Sequence, residues 1–374
     1  MNERSRKLQI GVGTEKRADY ILSSPRPGPG VDMVAPPWRI NTKESDWDQI
    51  YSPFEIQYLT YDEVRYTVHR WFMGLRVGGI IEIVVDNLGV LLAGVDGLLD
   101  DRVKEILYGS QKECDPTQLG YNQMYRFVKK SGYDEAAISA LLEDSGFTEI
   151  EISAIEMGSR PVLLAIAKKT ISAMERQVSP RLDGVRGDHK ARYEFAAEQL
   201  AKKAPTLVVD AACGIGYGAY ILAKALPSAK VVAIDLDDEA LAYGRKYYAL
   251  PNIEFLKQDL GCERFSLEGA DAVVSFETLE HLEDEDFFLE SINKVMKNGG
   301  SFFCSSPNEE IYPFDKEVVP YHVRHHTDAQ MRELMGKHGF RTDGFYTQVS
   351  RELGDVIAGS HGLYHLLCCT KIES

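Results

Sequence analysis

Acidic and histidine side chains stand close together in one short segment of this sequence. In ETLEHL, Glu277, Glu280 and His281 are spaced i, i+3 and i+4, and on a helical turn this spacing places all three on one face. Two carboxylates and an imidazole suit a divalent cation such as Mg²⁺ or Mn²⁺, which lowers the pKa of a hydroxyl bound to it. The segment therefore predicts activation of a hydroxyl group as a nucleophile.

Three further histidines stand in the segment YHVRHHT, namely His322, His325 and His326. A helix should follow this loop, because Thr327 and Gln330 form a capping box. A histidine in the loop can act as a general base or add a metal ligand. The predicted metal ligands are Glu277, Glu280, His281 and His326. Without a metal, His281 is the leading general base, because neighbouring carboxylates raise its proton affinity.

The elements that position these groups follow from an alternation of strand-like and helix-like segments, which is typical of a mostly parallel sheet covered by helices. The predicted strands are Thr206 to Val209, Lys230 to Ile234, Ile253 to Leu256, Ala272 to Phe276 and Ser301 to Cys304. The predicted helices are Tyr217 to Leu226 and Glu239 to Tyr248. We expect the runs Gly344 to Val349 and His365 to Ile372 to form an antiparallel pair at the sheet edge.

A glycine-rich turn follows the first of these strands, in VVDAACGIGYG. Glycines let the backbone approach a ligand, and the N-terminus of the next helix favours an anion. Asp235 ends the second strand about twenty residues later, where a carboxylate can accept two ribose hydroxyls. Asp259 follows the third strand and can receive an adenine amino group. The spacing does not fit the G-x-G-x-x-G fingerprint of dinucleotide-binding enzymes.

The segments DAACGIGYG and AIDLD resemble the first two motifs of class I S-adenosylmethionine-dependent methyltransferases, with Ala212 where glycine is commoner. The resemblance covers Asp188 to Glu373 and implies a Rossmann-like domain with S-adenosyl-L-methionine as its cofactor. It places the methionine part beside Gly214 and Gly216. The residues predicted to bind the cofactor are Asp210, Ala212, Gly214, Gly216, Asp235, Leu236, Asp259, Leu260, Phe276, His189 and Tyr193.

Two other segments resemble parts of known methyltransferases. The stretch SPRLDGVRGDHKARYEFAA looks like the lead-in helix that closes over the cofactor in many such enzymes, and His189, Arg192 and Tyr193 could contact the cofactor carboxylate. The E-x-x-E-H pattern resembles metal-dependent O-methyltransferases that act on ubiquinone precursors and on the 3′ ends of small RNAs. The LEHL string also occurs in methyltransferases with no recognised metal, so a metal-free mechanism stays open.

The first half of the chain repeats the plan of the second half more weakly. Three pairs of segments align without gaps and in the same order: Asp48 to Leu59 with Asp271 to Leu282, Leu75 to Asn87 with Met296 to Asn308, and Ser145 to Phe147 with His338 to Phe340. Such ordered matches indicate a duplicated domain. We therefore predict an α/β protein with two Rossmann-like methyltransferase domains, each a mostly parallel twisted sheet with helices on both faces and an antiparallel edge. The expected boundaries are 1–167, a linker at 168–188, and 189–374.

The first half lacks the chemical side chains of the second. Phe54, Gln57 and Tyr58 align with Glu277, Glu280 and His281. LQIGVGTEK resembles the first motif of a methyltransferase group frequent among polysaccharide-building enzymes, but Gln9 replaces the usual acid and Glu15 falls opposite Gly216. Ser23 and Ser24 stand where a ribose-binding aspartate is expected. We predict a degenerate, non-catalytic domain that serves packing, homo-oligomer formation or substrate presentation, with a second active site as the alternative.

Composition limits the classes of partner. Asp plus Glu number 57 and Lys plus Arg 42, a net charge of -15, so non-specific attraction to nucleic acid is not expected. No apolar run reaches the ~20 residues that span a bilayer, and the first residues lack the pattern of a signal peptide. We expect a cytoplasmic protein with no membrane span.

The resulting functional hypothesis is an O-methyltransferase that acts on a sugar of a surface polysaccharide or on its precursor. The sugar substrate rests on the family resemblance of both halves. Two alternatives from the same class are a metal-dependent RNA 2′-O-methyltransferase and a small-molecule methyltransferase. An alternative from another class is a cofactor-binding scaffold without turnover.

Overall fold

The computed structural model describes residues 6–11, 13–39, 47–93, 104, 107–108, 128–172, 176–350 and 354–373. The chain forms two compact units, Met1–Met174 and Glu175–Ser374. Each unit has its own mixed sheet with helices packed against it. No helix among the described residues is long and apolar enough to cross a membrane.

The first unit is built on a seven-stranded sheet with the order β3-β2-β1-β4-β5-β7-β6. Strands β1 to β5 pair in parallel, and β7 joins β5 and β6 in antiparallel fashion. The strands are β1 (Lys7–Ile10), β2 (Tyr20–Ser24), β3 (Met33–Val34), β4 (Trp47–Pro53), β5 (Leu75–Asp86), β6 (Thr148–Met157) and β7 (Arg160–Lys168). The described α-helices are Tyr61–Gly74, Leu88–Leu92 and Glu135–Asp144, and the short 3-10 helices are Pro37–Arg39 and Glu55–Tyr58.

The second unit is built on an eight-stranded sheet with the order β10-β9-β8-β11-β12-β15-β13-β14. The strands are β8 (Leu207–Ala211), β9 (Lys230–Asp235), β10 (Ile253–Lys257), β11 (Ala270–Phe276), β12 (Met296–Pro307), β13 (Phe340–Gln348), β14 (Ile357–Ala358) and β15 (Tyr364–Lys371). The α-helices are Gly187–Ala201, Tyr217–Ala225, Asp238–Tyr247, Glu285–Val295 and Asp328–Lys337, and the 3-10 helices are Leu182–Gly184 and Leu279–His281.

The fold class and the strands expected from the sequence are confirmed. Strands β8 to β12 are parallel, and β15 pairs antiparallel with both β12 and β13. Strand β11 is buried along nearly its whole length, as expected for a parallel strand covered on both faces. The Thr327 and Gln330 capping box opens the helix Asp328–Lys337 as predicted.

The two sheets share one strand order, because β8 to β13 and β15 occupy the places of β1 to β7. The pairing register matches too. In β4 and β5, Gln49 lies opposite Ile80, and at the aligned positions of β11 and β12, Ala272 lies opposite Ser301. This common plan is what a duplication would produce, while the methyltransferase ancestry of the first unit stays a prediction.

Candidate active site

The glycine-rich turn leaves β8 at the carboxyl edge of the second sheet. Ala212, Gly214 and Gly216 all have positive φ, at 63°, 55° and 85°. A Cβ on Gly214 would meet no atom within 4 Å, so this glycine borders open space. A Cβ on Gly216 would lie 2.6 Å from the ring of Phe255. The structure therefore gives Gly216 a packing role and leaves Gly214 as the glycine that a ligand can approach.

Asp235 ends the neighbouring strand β9 beside this turn. Its carboxylate accepts hydrogen bonds from the backbone N–H groups of Gly214, at 2.7 Å, and Asp237, at 3.0 Å. The side chain is thereby held in one orientation, and each oxygen keeps a second lone pair. This is the arrangement needed to accept two vicinal hydroxyls from a ribose.

The predicted adenine end of the pocket lies next to Asp235 along the same edge. The N–H of Gln258 donates to the carbonyl of Asp235 at 3.0 Å, which brings the end of β10 against β9. Asp259 is exposed, and its carboxylate accepts a bond from the N–H of Gly261 at 2.9 Å. Leu260 is buried in the core, whereas Leu236 is 61% exposed. Leu236 can therefore cover a flat ligand, and Leu260 anchors the loop after β10 in the core.

The lead-in helix Gly187–Ala201 packs over the glycine-rich turn. The Tyr193 hydroxyl donates to the carboxylate of Asp210 at 3.0 Å, and the Tyr193 ring lies edge-on to Phe276. Burial raises the pKa of Asp210 to about 7. His189 Nδ1 lies 2.9 Å from the hydroxyl of Tyr217. The helix is thus joined to β8 and to the helix Tyr217–Ala225 by hydrogen bonds that involve three of the predicted cofactor residues.

Arg192, which the sequence suggests as a contact for the cofactor carboxylate, is engaged by side chains of the second unit. Its side chain is fully buried, and its guanidinium lies 3.1 Å from Asp188 and 3.0 Å from Glu277. It also donates to the side-chain carbonyl of Gln348 at 2.6 Å and to Ser305 at 3.4 Å. With these partners the guanidinium has no remaining face for a ligand, so its role is to hold Glu277 in place.

The prediction that Glu277, Glu280 and His281 share a helical face is wrong. Glu277 has a φ of 53° at the end of β11, and only a short 3-10 helix follows, at Leu279–His281. The Glu277 carboxylate is directed to Arg192 and accepts a bond from the hydroxyl of Ser305 at 2.8 Å. Glu277 therefore leaves the predicted metal set.

A different trio comes together beside it. Among the described residues, one potential ligand atom from each of Glu280, His281 and His322 lies within 4.8 Å of the other two. Glu280 is 1% exposed, and neither of its carboxylate oxygens has a hydrogen-bond partner among the described residues. Burial, reinforced by the charge of Glu277, raises its pKa well above the usual value. A buried carboxyl with no partner is costly, so this group fits a cation or a donor supplied by a ligand.

The loop that carries the three histidines is fastened to this trio through its backbone. The N–H of Val323 donates to the carbonyl of Glu280 at 2.7 Å, and His281 Nδ1 lies 3.3 Å from the carbonyl of Tyr321. These contacts set the ring of His322 edge-on to that of His281, with 4.7 Å between the centroids.

His326 is not a member of the trio, which corrects the fourth predicted metal ligand. Its Nε2 lies 2.9 Å from a carboxylate oxygen of Glu285. His325 is also set back from the trio, because its Nε2 contacts Nδ1 of His322 at 2.7 Å and its Nδ1 contacts the carbonyl of Tyr312, also at 2.7 Å. His322 thus takes the place that the sequence analysis gave to His326.

The corresponding edge of the first unit is filled by its own side chains. Gln9 lies opposite Tyr51 as Asp210 lies opposite Val274, so the glycine-rich turn corresponds to residues 11–15. A Cβ on Gly13, the counterpart of Gly214, would lie 2.7 Å from the carbonyl of Pro53 and 3.0 Å from the ring of Phe54.

Other groups that bind or react in the second unit are also replaced in the first. The same strand register puts Ser24 at the place of Asp235. Gln57, the counterpart of Glu280, donates to Asp86 at 2.9 Å. The Glu55 carboxylate occupies the space over Gly11, since a Cβ there would lie 2.5 Å from its Oε2. Among its described residues, the first unit therefore shows neither the open turn nor the acidic and histidine trio.

Comparison with known proteins finds similarity over the region that contains part of this site. Residues 208–300 match the family model described as a methyltransferase domain. A protein of Mycolicibacterium smegmatis named as a probable S-adenosylmethionine-dependent methyltransferase is 30% identical over 155 residues, which cover 41% of this chain and 59% of the relative. The phthiotriol/phenolphthiotriol dimycocerosates methyltransferase of Mycobacterium tuberculosis is 27% identical over 150 residues, covering 40% of this chain and 54% of the relative. The chain thus spans a little over half the length of these relatives.

Solved structures give a similar comparison. An S-adenosylmethionine-dependent methyltransferase from Mesorhizobium loti aligns with a TM-score of 0.38 and 16% identity, covering 48% of this chain and 99% of that chain. The second unit is therefore similar to S-adenosylmethionine-dependent methyltransferases, and its residues 208–300 match the methyltransferase domain model.

Proposed function

We propose that this protein transfers the methyl group of S-adenosylmethionine to a hydroxyl group of a sugar, in a surface polysaccharide or its precursor, at one active site in the second unit. The observation that carries the proposal is the trio Glu280, His281 and His322, which lies beyond the end of β11. Strand β11 is the neighbour of β8, and β8 leads into the open turn at Gly214. Methyl donor and acceptor can therefore meet at one sheet edge.

The chemistry is an in-line displacement. The acceptor oxygen forms a bond to the methyl carbon while the bond from that carbon to sulfur breaks, leaving S-adenosylhomocysteine, and the hydroxyl proton must be removed. His281 can take this proton on Nε2, because its Nδ1–H is directed to the carbonyl of Tyr321. Holding both reactants in this geometry supplies much of the rate acceleration.

A divalent cation would fit the same trio. The unpartnered carboxyl oxygens of Glu280 and one nitrogen each from His281 and His322 form a donor set that suits Mn²⁺ better than Mg²⁺, because Mg²⁺ prefers oxygen ligands and two of the donors are imidazoles. A bound cation would lower the pKa of the acceptor hydroxyl. In that version the protein residues hold and orient the acceptor, and Arg192 keeps Glu277 apart from the ligands.

Release of S-adenosylhomocysteine from a panel of acceptors tests the function. The panel contains nucleotide sugars, methyl glycosides, a long-chain diol and a short RNA with a free 3′ end. We expect turnover on a sugar acceptor. Turnover on the RNA alone would overturn the sugar proposal in favour of the 2′-O-methyltransferase alternative. Cofactor binding without turnover on any member would support the scaffold alternative.

A lipid alcohol is the second candidate acceptor. The M. tuberculosis relative is named for methylation of phthiotriol-type lipids. The loop that carries His322 also exposes apolar side chains, since Ile311 is 48%, Val318 63% and Tyr321 41% exposed. Turnover on the long-chain diol, with none on the sugars, would favour this acceptor.

Loss of the Asp235 carboxylate should weaken cofactor binding. Hydrogen bonds to a charged group are worth about 1.5 to 3 kcal/mol, so Asp235→Ala should raise the Kd for S-adenosylmethionine by about 10- to 150-fold. Calorimetry on the folded variant measures this change. Asp238→Ala is the matched control, because that aspartate is 66% exposed and pairs with Lys257. Equal affinity in the wild type and Asp235→Ala would remove the ribose assignment.

Cofactor should bind at one site per chain. In the first unit, Pro53, Phe54 and Glu55 fill the space over the turn, and a serine replaces the ribose-binding aspartate. Titration of the full chain with S-adenosylmethionine should therefore saturate at one equivalent, and Asp235→Ala should weaken that single site. Two equivalents of similar affinity would show that the first unit is not degenerate. We propose that this unit serves packing, self-association or substrate presentation.

A further inference from the structure

We propose that His325 is a positioning residue which fixes the tautomer of His322, so that Nε2 of His322 carries a lone pair directed at the reacting hydroxyl or its cation. The inference rests on the proposed function for its catalytic meaning. It begins with the carbonyl of Tyr312, which lies 2.7 Å from Nδ1 of His325. A carbonyl oxygen can only accept, so His325 must donate from Nδ1.

The direction of the next hydrogen bond, between His325 and His322, follows from that first one. A neutral imidazole has one N–H, and when it is on Nδ1 the other nitrogen, Nε2, is an acceptor. Nε2 of His325 lies 2.7 Å from Nδ1 of His322, so His322 must donate from Nδ1. Its Nε2 is then the unprotonated nitrogen. Because Nδ1 is engaged by His325, we assign Nε2 as the nitrogen that His322 offers to the trio with Glu280 and His281.

The surroundings keep His325 neutral and in place. Its side chain is fully buried, and the rings of Tyr312 and Phe314 lie against it, with centroids at 5.3 and 5.6 Å. The nearest acidic group, Glu309, is 3.9 Å from Nδ1, beyond hydrogen-bond distance. A charged imidazolium is costly in such a buried, aromatic setting. Neutral rings are what a one-directional chain of hydrogen bonds requires.

The tautomer of His281 is also set by a backbone carbonyl, in this case through a direct contact. Its Nδ1 faces the carbonyl of Tyr321 at 3.3 Å, which favours the same tautomer. Both histidines of the trio are therefore oriented through a backbone carbonyl, one directly and one through His325. Partners of this kind typically change metal affinity or activity by about 10- to 100-fold when they are removed.

Nitrogen-15 NMR of the full chain, labelled at its nine histidines, tests the tautomer without any acceptor substrate. The signal of His322 is assigned from its loss in His322→Phe. We expect the wild type to show His322 with the proton on Nδ1. A proton on Nε2, or a doubly protonated ring at neutral pH, would overturn the proposal whatever the fate of the sugar assignment.

Two variants of His325 separate positioning from packing. His325→Asn keeps a donor near the Nδ1 position for Tyr312 but has no acceptor for His322, whereas His325→Gln places an amide oxygen near the Nε2 position. We expect His325→Asn to give a mixture of His322 tautomers and to lose about 10- to 100-fold in kcat, with the KM for S-adenosylmethionine unchanged. His325→Gln should retain the Nδ1–H tautomer and most of the turnover.

The opposite outcomes are equally clear. If His325→Asn leaves both the tautomer and kcat unchanged, His325 does not orient His322. If the two variants lose turnover alike while the His322 tautomer stays fixed in both, the role of His325 is packing and the proposal fails. A lack of turnover on every acceptor, with the expected tautomers in wild type and variants, would instead count against the proposed function alone.

Discussion

If the trio holds a divalent cation, EDTA should abolish methyl transfer by this protein, and added Mg²⁺ or Mn²⁺ should restore it. The expectation rests on Glu280, whose two buried carboxyl oxygens have no partner among the described residues and lie with nitrogens of His281 and His322. Turnover on the acceptor found in the panel, with chelator and then with metal, measures the effect. S-adenosylmethionine binding in the presence of EDTA should stay unchanged, because Asp235 and Gly214 lie outside the trio.

Single substitutions distinguish the two mechanisms. If the trio holds a cation, Glu280→Ala should be nearly as damaging as His281→Ala, since either loss disables the same ion. If His281 is instead a metal-free general base, the chelator should do nothing, His281→Ala should cost about 10² to 10⁴ in rate, and Glu280→Ala should act mildly through the imidazole. His361→Ala, at an exposed histidine, is the control. Full activity in both trio variants would move the chemistry to another residue.

Strand ends were predictable because hydrophobic patterning is local. Asp235 and Asp259 lie where short apolar runs stop, and parallel strands deliver their carboxyl ends to one edge. The sequence predicts Phe54 as the counterpart of Glu277. In the structure both residues follow matching strands and both have positive φ, at 61° and 53°. That same positive φ is what the spacing rule could not foresee, because the i, i+3, i+4 pattern assumes a regular helix.

The sequence predicts His326 as a metal ligand, whereas the structure has His322 in the trio, and this difference has another cause. Spacing alone does not say which of three nearby histidines turns inward, because the direction depends on contacts distant in sequence. His326 is drawn to Glu285, and His322 is oriented through the His325 ring, which Tyr312 holds. The sequence likewise suggests Arg192 as a contact for the cofactor carboxylate, because its partners Glu277 and Gln348 lie far along the chain and local spacing does not show them.

Arg192→Met should strongly destabilise the second unit. The guanidinium is fully buried between Asp188 and Glu277, and removal of one partner from a buried ion pair costs about 3 to 5 kcal/mol. Glu277 would lose its compensating charge, whereas Asp188 would keep its pair with Arg186. Met conserves much of the aliphatic volume, so the loss reports the charge rather than a cavity. Chemical denaturation of the full chain, following the second unit, measures the free energy of unfolding.

The control and the functional readout make this prediction specific to the buried network. Lys294→Met removes an exposed partner of Glu290, with 62% of the lysine side chain accessible, and such pairs contribute at most about 1 kcal/mol. In Arg192→Met, Glu277 should also lose its fixed direction, and turnover should fall even where the unit stays folded. A stability change no larger than that of Lys294→Met would mean that Arg192 is not the residue that holds Glu277 and the lead-in helix together.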